Sequence, residues 1–128
     1  MKKETYTSLG LSIFISLFVG CGGDADIEPV DLQAEAKAVE NVFSDAEPEI
    51  KRNMDVASQA MQENNLGKAY MAMQMVQQKQ NMTPEQGMQA QMSMKQLRIH
   101  IATQAANGDP AAQQLMRQIE AVRMRGGQ

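Results

Sequence analysis

With 128 residues, 43% of them hydrophobic, and with three Phe, two Tyr and no Trp, the chain has room for about one small domain, which excludes a multidomain enzyme. Twelve Met and an Ala- and Gln-rich run after residue 50 favour unbranched helix formers over the residues that sheets prefer, so the expected fold class is all-α, a small bundle of four to five helices. A lone Cys cannot close an internal disulfide, a lone His cannot supply the paired histidines of zinc hydrolases, and the net charge of −3 gives no large field of one sign.

Residues 1–20 read as an export signal, with Lys2 and Lys3 as its basic start and an apolar run from Leu9 to Val19 broken only by Gly10, Ser12 and Ser16. Eleven residues of helix cover roughly 16 Å, about half of a bilayer's hydrocarbon thickness, so this run is too short to span one. It ends in Leu17-Phe18-Val19-Gly20-Cys21. That pentad resembles the lipobox of bacterial lipoproteins, with Phe18 standing where that family usually has Leu. The resemblance implies cleavage between Gly20 and Cys21 and acylation of Cys21, which would fix the chain to membrane lipid. Two or more acyl chains at about 0.8 kcal/mol per buried CH₂ hold far more firmly than one. Gly22 rather than Asp after the Cys fits the enterobacterial rule for sorting to the periplasmic face of the outer membrane.

Residues 21–30 then form an acidic tether, and 31–125 the helical domain. Nine acids lie between Asp24 and Glu49 against Lys37 alone, whereas nine basic residues against five acids follow from Ile50 onward. The acidic leash is expected to be repelled by anionic headgroups, or its helical part to dock on the basic helices. The basic residues are too dispersed for a nucleic-acid surface.

Asp31 is positioned to cap a first helix in which Leu32, Ala36, Val39 and Phe43 share one stripe, ending near Ser44. Asp45 is expected to cap the second, with Pro48 in its first turn and Ile50, Met54, Ala57 and Met61 as its stripe. The third is predicted from about Leu66 to Gln80, with Ala69, Ala72, Met73 and Val76 on one side and Met71 and Met75 on another. Thr83-Pro84-Glu85-Gln86 has the pattern of a capping box and opens the longest helix, to Ala106. Two stripes run along it, one of Met88, Met92, Ile99 and Ala106 and one of Ala90, Met94, Leu97, Ile101 and Ala105. Asn107-Gly108 ends it, Asp109-Pro110 restarts, and Leu115, Met116, Ile119 and Val122 line the last helix before a tail, 126–128, that is expected to fray.

The turns Asn64-Asn65-Leu66-Gly67-Lys68-Ala69 and Asn107-Gly108-Asp109-Pro110-Ala111-Ala112 look alike, with Ala69 matching Ala112 at an offset of 43. The pair resembles a degenerate tetratricopeptide-type repeat, which implies two stacked helical hairpins and a protein-binding role, although such repeats are about 34 residues long.

No nucleophile, acid and base stand at catalytic spacing, and no enzyme activity or cofactor is expected. His100 falls with Gln89, Ser93 and Gln96 on a polar face. Met71 with Met75 and Met88 with Met92 are apolar beyond what one interface needs, which makes them the candidate surface for an envelope protein partner. The alternative is a Cu(I) site of soft thioethers drawing on Met71, Met75, Met92 and His100, although Met73 points about 160° from Met71 on a helix. A third reading is a spacer that self-associates.

Overall fold

Asp31 begins the first helix of the structure, a computed structural model that describes residues 29–127. Its carboxylate accepts the backbone N–H groups of Gln33 (2.9 Å) and Ala34 (3.2 Å), two donors that a helix start otherwise leaves unpaired. Helix α1 (Leu32–Val42) follows, then α2 (Pro48–Gln62), α3 (Leu66–Gln77), α4 (Pro84–Ala106) and α5 (Pro110–Gly126). The described residues are thus all-α, a five-helix bundle without strands.

Four boundaries differ from expectation, two of them slightly: α1 ends at Val42 rather than near Ser44, and α5 includes Gly126, the first residue of the tail expected to fray. Helix α2 starts at Pro48 with Glu47, not Asp45, at the cap position, and no side chain caps it. The proline ring bars the preceding residue from helical angles, and Glu47 is held extended at φ −51°, ψ 146°. Helix α3 stops at Gln77 rather than Gln80. There the Lys79 N–H donates to the Val76 carbonyl (2.9 Å) in a tighter turn, and its ammonium pairs with Glu49 on α2 (2.5 Å). The Thr83 box forms as expected: the Gln86 N–H donates to Thr83 Oγ1 (3.2 Å), and the Thr83 N–H donates to Gln86 Oε1 (3.1 Å).

The two look-alike turns share one hydrogen-bond scheme. After α2, Asn64 takes φ 54° and the Asn65 N–H donates to the Ala60 carbonyl (2.8 Å); after α4, Gly108 takes φ 95° and the Asp109 N–H donates to the Gln104 carbonyl (3.0 Å). Asn65 and Asp109 then cap α3 and α5 by accepting the N–H of Lys68 and Ala112. In this register equivalent residues lie 44 apart, so Ala112 matches Lys68 and the pairing with Ala69 is corrected by one position. Gly108→Ala should cost about 1–2 kcal/mol, because a Cβ there meets open space but the left-handed backbone remains. Gly67→Ala, in the first turn of α3 with nothing within 4 Å, should instead gain up to about 1 kcal/mol. Urea denaturation of the two variants reads the opposite signs.

Helix α2 packs between α1 and α3, α4 closes the ring by touching both α3 and α1, and α5 lies outside the ring on α4. The α2–α3 pair is the most extensive, since Ala57 and Ala60 on one helix and Ala69 and Ala72 on the other let the backbones approach. Phe43, Ile50, Met54, Met61, Met73 and Leu97 fill the centre. Of the two stripes on α4 only the one through Ala90, Met94, Leu97 and Ile101 is buried; the other points outward.

The acidic helix α1 does dock, but through neutral partners rather than basic ones. Ser58 on α2 donates to Glu40 (2.6 Å), and Gln62 donates to the same oxygen (3.0 Å). Ser93 on α4 donates to Glu35, which also accepts from Gln89 (3.2 Å). One carboxylate on α1 is thereby held by a Ser and a Gln, four residues apart, on each neighbouring helix. Charge-assisted bonds of this kind are stronger than neutral ones and fix where α1 sits along the ring.

Candidate docking face

Helix α5 brings an apolar stripe to a ring that is already closed, and its stripe is consequently only half covered. Ala112 is its one buried residue; Leu115, Met116 and Ile119 are half-buried and Val122 is 62% exposed. A groove of about 610 Å³ runs between α5, α3 and α4, lined by Tyr70, Gln74, Arg98, Met116, Ile119 and Arg123 among others. A smaller cleft of about 120 Å³ shares Tyr70, Gln74 and Ile119 and reaches Met71. Tyr70 forms the floor. Its ring is buried, its hydroxyl accepts from Gln74 (3.3 Å) and Arg98 (3.5 Å), and the Arg98 guanidinium carbon stands 5.8 Å from the ring centre. Such a trough is shaped for an apolar side chain and carries Arg98, Arg123 and Glu120 along its rim.

The four outward methionines expected from the sequence are all exposed: Met71 61%, Met75 51%, Met88 62% and Met92 52%. Met71 and Met75 stand four residues apart on α3, Met88 and Met92 four apart on α4, each pair turned from the core that Met73 and Met94 fill. Met71 lines the smaller cleft. The sequence did not point to Tyr70, Arg98 and α5 as one trough. Its signal was the apolar stripe Leu115, Met116, Ile119 and Val122 on α5.

His100 stands on the polar face of α4 together with half-buried Gln89 and Gln96. Its ring is half-buried, Nε2 is buried without a hydrogen-bond partner, and Ser93 from the same face is buried against Glu35. Met71, Met75 and Met92 are exposed, whereas His100 Nε2 is buried. No group of three or more His, Cys, Asp or Glu among the described residues is placed to hold a metal. Gly20 and Cys21 lie outside the described residues, as do the signal and most of the tether.

Burial lowers the His100 pKa from its ordinary 6.5, with the Val30 backbone acting in the opposite direction. A lowered value means that the unfolded chain takes up a proton first as pH falls. Stability should therefore be full above pH 6.5 and decline as pH drops through the folded value. Melting curves between pH 7.5 and about 5 should show this slope, and His100→Gln should flatten it.

No family model matches the chain, and no curated protein or solved structure matches it. Among the described residues, no helix is long and apolar enough to cross a membrane.

Proposed function

We propose that the chain is a lipid-anchored helical module of the bacterial cell envelope that docks another envelope protein, as an adaptor or assembly factor. The observation that carries the docking reading is the outward face of α3, where Met71 borders the half-covered stripe of α5 and Met75 stands exposed one turn further on. Thioether side chains on an exposed helix face offer apolar contact that adapts to its partner's shape. The α3–α5 trough supplies the concave part such contacts need, and its rim carries Arg98, Arg123 and Glu120, charged groups of both signs for a partner's polar edge.

The anchor reading rests on the sequence Leu17-Phe18-Val19-Gly20-Cys21, and the acidic residues that follow fit a spacer that keeps the domain off an anionic lipid surface. The outer membrane's periplasmic face is the preferred location.

Cross-linked capture from detergent-solubilised envelopes, with the native chain and with Met71→Gln and Met75→Gln combined, tests the docking face. The partners recovered with the native chain should be lost with the variant, and an unchanged set would place the surface elsewhere. Radiolabelled palmitate should enter the native chain and not Cys21→Ser. Failure of the label to enter the native chain would remove the anchor without touching the docking result.

A further inference from the structure

Six large apolar side chains stand exposed among the described residues, and five of them are methionine: Met71, Met75, Met88, Met92 and Met124, with Val122 the sixth. No Leu, Ile or Phe is exposed in this way, although all three occur in the core. Unbranched Met suits adaptable apolar contact, and it also brings to the surface a sulfur that Leu, Ile and Phe lack.

We infer that the outward methionines form a sacrificial oxidation site, consuming two-electron oxidants such as hypochlorous acid before the core methionines are reached. In the step, the thioether sulfur gives up two electrons and gains an oxygen atom as the sulfoxide; the chlorine of HOCl is reduced to chloride and the proton is released to water. The product is polar, which is harmless on a solvated face and disruptive in a packed one. The fold separates the two populations. Met54, Met61, Met73 and Met94 are at most 2% exposed, while the outward five are 51% exposed or more. On α3 the separation is two residues, Met71 and Met75 on one side and Met73 on the other, so one helix turns oxidisable sulfur outward and keeps its core sulfur covered. The inference stands on the exposure of the free domain and not on the docking reading; a docked partner would cover part of the site.

Two measurements on the full chain test it. Peptide mapping after graded doses of hypochlorite should find sulfoxide on the outward methionines at least about tenfold sooner than on Met54, Met61, Met73 and Met94, with the helical circular dichroism unchanged meanwhile. A chain carrying Met71→Leu, Met75→Leu, Met88→Leu and Met92→Leu together should then lose its fold at a dose lower by about four oxidant equivalents, one per sulfur removed, Cys21 being the same in both. Sulfoxide forming on core and outward positions in parallel, loss of helix once the outward sulfoxides form, or an unchanged unfolding dose in the Leu chain would each overturn the inference. Should the fourfold variant not fold, Met71→Leu with Met75→Leu carries the dose comparison at about half the shift, and the map of the native chain stands independently.

Discussion

Phe43→Ala is expected to remove about 3–5 kcal/mol of folding stability, the range for emptying a buried aromatic site. Phe43 is 1% exposed and is among the largest of the fully buried side chains. It sits where α1 ends: its N–H donates to the Val39 carbonyl (3.0 Å) and its carbonyl accepts from Ala46 (3.2 Å), so the ring is held by backbone on both sides. A domain of this size has about 5–15 kcal/mol in total, so the variant should be partly unfolded at 37 °C. Urea denaturation followed by circular dichroism gives the number. Phe43→Leu, which keeps most of the volume, should lose less than half as much. A loss below about 1 kcal/mol for Phe43→Ala would mean that α1 is not packed into the ring, and would undo the clamps at Glu35 and Glu40 with it.

Which helices form was legible in the sequence because helix starts are written locally. Asp31 with its two N–H donors, Thr83 with Gln86, and Asn65 and Asp109 as caps each use partners within three residues. Pro48 fixed its own boundary more firmly than Asp45 could, because a steric exclusion outweighs an optional hydrogen bond. The early end of α3 was not legible, and the Lys79–Glu49 pair just beyond it joins residues thirty positions apart. Nor was the environment of Ser93. On a helical wheel it belongs to a polar face with His100, and only the arrival of Glu35, fifty-eight positions earlier, makes that face interior. Periodicity likewise gave α4 two stripes of similar apolarity without saying which would find neighbours. The Met-rich stripe is outward because α4 meets α1, α3 and α5 through its other sides, a property of the assembled ring rather than of the helix.

The same ambiguity makes the sharpest paired prediction, on two methionines of one helix. Met73→Ala should cost about 2–5 kcal/mol, because the side chain is fully buried and deletion leaves a cavity lined by neighbours on α2 and α4. Met71→Ala, two residues earlier and 61% exposed, should stay within about 0.5 kcal/mol of the native chain, since its loss removes little buried area and Ala is at least as good a helix former. Intrinsic helix propensity changes equally in the two variants, so the difference between their urea midpoints isolates packing from propensity. Near-equal losses at the two positions would mean that α3 is rotated about its axis from the orientation seen here. That result would put Met71 and Met75 in the interior, removing both the docking face and the oxidation site. A wide gap leaves both standing on side chains the fold can spare, which is the condition under which they can be altered without unfolding the domain.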